Sequence, residues 1–279
     1  MKVIKNADLK DYNNYKLGGI ADNLIIIEEI DELLLLDKDT LHNAEIIGDG
    51  TNILVSDKGV GGNVIKIAFK GYRIEQDKVI VKAGTNLTKM AVELVRQGYR
   101  AFLFAVGIPG SVGGAIVMNA GTDNSISDVL ESVEVMTRDK ERKSLLVSEL
   151  GYGYRSSILQ DKDWIVLSAT FKAEKGEPIS QEQIDDKLKS RARNHPLSFP
   201  SAGCWFKAGW GGNDIIKEIG MAGKWIGGAV SSPLFPAFIL NVNATTQDIY
   251  LLAKEIQDKA KAIGKSLPFE IKLIGEFNE

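Results

Sequence analysis

Gly107-Ile108-Pro109-Gly110-Ser111-Val112-Gly113-Gly114 is the stretch on which the reading of this chain turns. It carries more glycine than a tight turn requires and runs into Ala115-Ile116-Val117-Met118, small and apolar. Two further glycine-rich segments accompany it. Gly48-Asp49-Gly50-Thr51-Asn52 lies between the apolar runs Ile46-Ile47 and Ile53-Leu54-Val55, and Asn119-Ala120-Gly121-Thr122 follows Met118. Glycines mixed with small hydroxyl and amide residues expose consecutive backbone N–H groups in a concave nest, which suits a diphosphate without a lysine. Tight turns without a ligand are the alternative reading of the glycines alone. Over the whole chain glycine accounts for 28 of 279 residues, above the usual ~7%.

Outward from these segments, short strand-like runs alternate with a few amphipathic helices. Residues 64–69, 78–83, 133–136 and 164–171 have the length and β-branched content of strands. A helix is predicted from Leu87, with Leu87, Ala91, Leu94 and Val95 on one face and Gly98 as its stop. Ser180 with Gln183 forms a capping box for a second helix running toward Arg193. A third begins at Thr246, sets Ile249, Leu252, Ala253, Ile256, Ala260 and Ile263 on one stripe, and stops at Gly264. The polar, breaker-containing stretch 172–178 marks the main boundary. Strands with sparse helices predict an α+β fold rather than a regular βαβ winding.

Composition excludes several classes. Apolar residues make up 44% and charged residues 25%, as in ordinary globular proteins, and the net charge of −3 offers no basic footprint for a nucleic acid. One cysteine excludes an internal disulfide and a thiolate metal cage, and two histidines, His42 and His195, make a multi-histidine metal site improbable. No signal-like segment opens the sequence and no run approaches the ~18 apolar residues of a membrane span, so a cytoplasmic address is expected. The P-loop, the Gly-x-Gly-x-x-Gly turn, the Gly-x-Ser-x-Gly elbow and the His-Glu-x-x-His helix are all absent.

An ordered set of motifs then carries a resemblance. Asn13-x-Tyr15-Lys16-Leu17-Gly18-Gly19, residues 48–57 and residues 105–115 are followed by Met118-Asn119-Ala120-Gly121 and Tyr154-Arg155-Ser156-Ser157. Pro200-Ser201-Ala202-Gly203-Cys204-Trp205-Phe206-Lys207 and Glu270-Ile271-Lys272-Leu273-Ile274-Gly275 complete it. Taken together, residues 13–275 resemble the UDP-N-acetylenolpyruvoylglucosamine reductases, flavoenzymes of peptidoglycan precursor synthesis and so of cell-wall biogenesis, in their compact subtype.

The resemblance implies an FAD-binding domain of the vanillyl-alcohol-oxidase type over residues 1–178, in lobes of about 1–68 and 69–178, and a smaller α+β substrate-binding domain over 179–279. Non-covalent FAD would contact Gly48, Asp49, Gly50, Thr51, Asn52, Gly107, Ile108, Pro109, Gly110, Ser111, Gly113, Gly114, Asn119 and Gly121. NADPH would reduce the flavin, and flavin N5 would then pass hydride to the vinyl carbon of a UDP-sugar enolpyruvyl ether. By resemblance Arg155 holds the substrate carboxylate, Glu270 acts at the enolised carboxylate, and Cys204 stands where the family ordinarily has a serine proton donor. A thiol is the stronger acid, with a reference pKa of ~8.5; a lone cysteine otherwise reads as a small apolar core residue. Arg191 and Lys207 would meet the nucleotide diphosphate, with a solvated face as the alternative. Trp205 and Trp210 would pack sugar or uracil, or else fill core. Glu276 is the decoy for Glu270. Ala208, Leu234, Phe235 and Leu103 depart from the family pattern, which leaves open a related flavoprotein with another substrate or an inactive FAD-binding module.

Overall fold

The computed structural model describes residues 1–193, 195–196, 198–208 and 211–278. The strands of the first part are β1 (Lys2–Asp8), β2 (Ile20–Ile27), β3 (Glu45–Ile47), β4 (Ile53–Val55), β5 (Val60–Ile67), β6 (Tyr72–Glu75) and β7 (Lys78–Lys82). They are followed by β8 (Leu130–Met136), β9 (Arg142–Leu146), β10 (Ile165–Lys172), β11 (Trp225–Ile226), β12 (Ala229–Ser231), β13 (Ile239–Asn241) and β14 (Lys272–Ile274). The helices are α1 (Lys38–Asn43), α2 (Leu87–Arg96), α3 (Val112–Val117), α4 (Leu159–Lys162), α5 (Gln181–Arg193), α6 (Gly211–Glu218) and α7 (Thr246–Ala262). The four strands expected from β-branched content are β5, β7, β8 and β10, and the three expected helices are α2, α5 and α7. Among the described residues no helix is long and apolar enough to cross a membrane.

The chain forms two compact units. The first comprises Met1–Val3, Leu24–Asp49 and Asn63–Arg191. Its centre is an antiparallel sheet in the order β6-β7-β10-β8-β9. Val79 and Val81 of β7, and Ile165, Leu167, Ala169 and Phe171 of β10, are buried at alternate positions, as the period of two requires. Asn86 caps α2 by accepting from Lys89 N at 3.0 Å, and Leu87, Met90, Ala91, Leu94 and Val95 form its buried stripe. Phe102 meets Phe171 edge to face at 5.5 Å. The polar bridge expected to divide the chain stays inside this unit. Gly176 N donates to Gly98 O and Ile179 N to Val95 O, which ties the bridge to the end of α2.

The second unit comprises Ile4–Asn23, Gly50–Gly62 and Ala192–Glu279. It contains the antiparallel sheet β11-β12-β13 with α7 packed on it, and the parallel pair β4-β14 in register Ile53↔Lys272 to Val55↔Ile274. Thr245 and Asp248 close a capping box on α7. Asp57 N donates to Thr246 Oγ1 and Thr246 N to Asp57 Oδ2, so the loop after β4 fixes the start of that helix. The core is built on Tyr15, Leu54, Trp205, Phe206, Ile216, Met221, Ile249, Leu252 and Ile256. Two of these residues, Tyr15 and Leu54, come from far upstream of the rest, and the units therefore follow the spatial core rather than the expected division at 178.

Candidate active site

In the first unit the glycines serve two different purposes. Around α3 they allow close packing. A Cβ on Gly113 would lie 2.9 Å from Ala83 Cβ, and Gly113 N donates to Ala83 O at 2.8 Å. Val112 N donates to Thr85 O, and Gly114 N is capped by Ser111 Oγ. These first-turn amides are therefore spoken for within the protein, unlike the open nest expected from sequence. Gly110 (φ +111°) turns the chain so that its carbonyl receives Leu87 N. Ile108 is buried, and its carbonyl accepts from Thr88 Oγ1 at 2.5 Å, while Pro109 is exposed. Gly107 lies against α5, where a Cβ would meet Arg191 Cδ at 2.7 Å. Gly114, by contrast, is exposed, and a Cβ there would meet only Ser111 Oγ.

The loop 48–52 has the opposite character. Among the described residues, the backbone N–H groups of Asp49, Gly50, Thr51 and Asn52 donate to no protein acceptor. Gly48 O accepts from Lys66 Nζ at 2.8 Å, with Asp49 Oδ1 3.8 Å from the same ammonium. Burial holds the Lys66 ammonium below its ordinary pKa, Asp49 opposes this, and Lys70 adds to it. A Cβ on Gly48 would stand 2.4 Å from Ser111 Oγ. Within the first unit, the unused amide of Asp49 beside the partly buried Lys66 ammonium suits an anionic group such as the diphosphate of a dinucleotide cofactor.

The third glycine-rich segment holds Arg155. Arg155 Nη1 donates to Asn119 O at 3.2 Å and Nη2 to Gly121 O at 2.8 Å. Asn119 in turn donates from Nδ2 to Gly153 O, and its Oδ1 receives Ser127 N. Arg155 itself has φ +51°, in the left-handed region, and its backbone carbonyl accepts from Gln160 Nε2. The ring of Tyr154 lies 5.2 Å from the guanidinium carbon. Sequence reasoning singled out neither Gln160 nor Tyr154 as support for this arginine.

In the second unit Cys204 and Glu270 belong to one narrow ribbon. Cys204 bridges Phe238 and Phe206 bridges Phe269, both antiparallel. Trp205 N donates to Ala237 O at 2.8 Å, and Trp205 O accepts Glu270 N at 2.7 Å. Gly203 (φ +88°) sets the turn into this ribbon. Asn52 Nδ2 donates to Glu270 O at 3.0 Å and Asn52 O accepts Lys272 N, so the backbone on either side of Ile271 is gripped by a residue expected at the cofactor. Gly50 (φ +69°) sits tightly on the Tyr12 carbonyl, and its own carbonyl accepts Asn14 N. Lys207 is half-buried, its N–H on Pro268 O. Trp205 is fully buried and fills core; Trp210 lies outside the described residues. Glu276 is highly exposed beside Lys58, unlike the half-buried Glu270. Leu103 and Ala208 pack against the two cores, Phe235 joins a small apolar cluster with Cys204 and Phe238, and Leu234 is exposed.

Comparison with known proteins bears on all of this. The FAD binding domain family matches residues 27–144, and the C-terminal domain of UDP-N-acetylenolpyruvoylglucosamine reductase matches residues 195–274. The chain is 39% identical to the UDP-N-acetylenolpyruvoylglucosamine reductase of Caldanaerobacter subterraneus subsp. tengcongensis, covering 99% of this chain and 94% of that one. It is 36% identical to the protein of the same name from Pediococcus pentosaceus, covering 99% and 95%. The crystal structure of UDP-N-acetylenolpyruvylglucosamine reductase from Thermus caldophilus superposes with a TM-score of 0.80 at 32% identity, covering 98% of each chain. With its FAD-binding fold of the vanillyl-alcohol-oxidase type and its α+β C-terminal domain, this chain belongs to the UDP-N-acetylenolpyruvoylglucosamine reductase family.

Proposed function

We propose that this protein is an NADPH- and FAD-dependent reductase that converts UDP-N-acetylglucosamine enolpyruvate to UDP-N-acetylmuramate. Full-length identity to reductases of that name supports the reaction. The observation that carries the assignment of residues is the ribbon on which Trp205 N–H, Trp205 C=O and Glu270 N–H tie Cys204 and Glu270 together. FAD, bound non-covalently and reduced by NADPH, supplies the hydride for the vinyl carbon. We assign its binding to residues 1–178, with loop 48–52 and residues 107–114 toward the diphosphate, and substrate binding, apart from the Arg155 contact, to residues 179–279. The two family matches fall within those ranges.

Hydride addition at the methylene carbon drives negative charge toward the substrate carboxylate. Arg155, forked and permanently charged, holds that carboxylate, and the carbonyls of Asn119 and Gly121 orient the fork. Glu270 orients the enolised carboxylate and, when protonated, donates to it. The Cys204 S–H bond breaks as its proton goes to the carbon bearing the ether oxygen, completing the lactyl group, and solvent restores the thiol. Arg191 and Lys207 supply positive charge to the nucleotide diphosphate. A cytoplasmic address fits a reaction that uses NADPH and a nucleotide sugar.

The test is anaerobic. Protein reduced by one equivalent of NADPH and then mixed with the enolpyruvyl sugar nucleotide should recover its oxidised flavin spectrum. A flavin that bleaches and stays bleached would mean the fold serves another substrate.

A further inference from the structure

Tyr15 lies outside every role assigned so far, yet its side chain is fully buried and fully used. Its hydroxyl accepts the indole N–H of Trp205 at 2.5 Å and donates to Ile239 O at 2.9 Å. Its backbone carbonyl accepts Asn241 Nδ2 at 2.9 Å. Tyr15 is thus fastened to both ends of β13 and, through one hydrogen bond, to Trp205. Burial pushes its phenol well above the ordinary range, so it remains a neutral O–H able to donate and accept at once.

Trp205 touches both halves of the ribbon. It follows Cys204 in the chain, its N–H binds Ala237 O, its C=O receives Glu270 N, and its ring stands edge-on to Phe269 at 5.4 Å. Beside these backbone bonds, the indole–phenol bond adds a lateral anchor to the ribbon. Removing the phenol hydroxyl alone leaves the buried indole N–H unsatisfied, whereas removing both groups leaves no orphaned N–H. We propose that Tyr15 is a positioning residue that sets the placement of Cys204 and Glu270 together, acting through the Trp205 indole. The proposal rests on the roles given to Cys204 and Glu270 above.

Cys204 is the only cysteine of the chain, so a thiol reagent reads this one position. The experiment measures iodoacetamide alkylation of the flavin-loaded protein alongside the two anaerobic half-reactions, in wild type, Tyr15→Phe, Trp205→Phe and the double variant. Tyr15→Phe should change the alkylation rate at least about threefold and slow flavin reoxidation by the enolpyruvyl substrate about tenfold, the worth of one hydrogen bond. Reduction by NADPH should stay within about twofold of wild type, because that step does not involve the ribbon. Trp205→Phe should act likewise, and the double variant should be no worse than the poorer single one. Unchanged alkylation and reoxidation, equal loss in both half-reactions, or additive losses in the double variant would overturn the proposal. Should Tyr15→Phe lose its flavin or fail to fold, Trp205→Phe carries the same expectations. If wild-type flavin is not reoxidised at all, the reductase reading fails, and the alkylation series still decides whether Tyr15 controls Cys204.

Discussion

Cys204 gives the sharpest consequence at the scale of a residue. As the proposed proton donor it would act after hydride transfer and not before. Cys204→Ala should leave reduction by NADPH intact and slow reoxidation by about 10²–10⁴-fold, the range of a lost general acid, while Cys204→Ser keeps much of the rate. Stopped-flow traces of the separate half-reactions decide it. Equal loss in both steps would make the thiol a packing group in its cluster with Phe235 and Phe238. Lys66 offers a pH effect instead. Its folded pKa is lowered by burial, so the unfolded chain holds that proton more firmly and stability rises with pH from the lowered value toward the ordinary 10.5. Lys66→Met should flatten this alkaline gain, as read from urea midpoints at neutral and alkaline pH. The family resemblance pointed to Arg155, Cys204 and Glu270 before any coordinates. Tyr15 was not, because its hydrogen-bond partner on Trp205 lies 190 positions away and nothing local betrays the pairing.

At the scale of elements, the turn at Gly121 shows how a glycine can act at a distance. A Cβ there would fall 2.2 Å from Asn124 O and 2.5 Å from Ser125 Cα, both backbone atoms with no room to yield. Gly121→Ala must open the turn and displace the carbonyls that orient Arg155. We expect a stability loss of about 1–3 kcal/mol, typical of overpacking, with reoxidation slowed more than reduction. Gly61→Ala, where no atom lies within 4 Å of the new methyl, is the control that should change neither. The elements legible in the sequence were those with their own periodicity, such as the buried stripe of α2 and the β-branched run of β10. The ribbon at 204–207 escaped because it consists of isolated bridges to segments around Phe238 and Phe269, each too short to carry a pattern. β11 to β13, two or three residues each, were hidden for the same reason. The glycines near α3 were read as a nest because composition cannot tell an amide left open from one donated to Ala83.

At the scale of the whole molecule, the second unit cannot be cut out as a sequence interval. Tyr15 and Leu54 are wholly buried in its core, and β14 has β4 as its partner. A fragment of residues 192–279 should therefore lack a cooperative thermal transition by circular dichroism, although it contains Cys204, Lys207 and Glu270; a sharp melt would show that these upstream residues are dispensable. The hydrogen bond from Asn52 to the Glu270 carbonyl spans 218 positions. At the ~5–20 residues per second of protein synthesis, Asn52 emerges roughly ten to forty seconds before the residue it will grip exists. During that interval β4 has no parallel neighbour on its β14 side, and its apolar Ile53-Leu54-Val55 must be kept from other partners. Assembly of the proposed proton donor and its glutamate is thereby postponed until translation has passed residue 274, and a nascent chain stalled short of that point has no means of completing them.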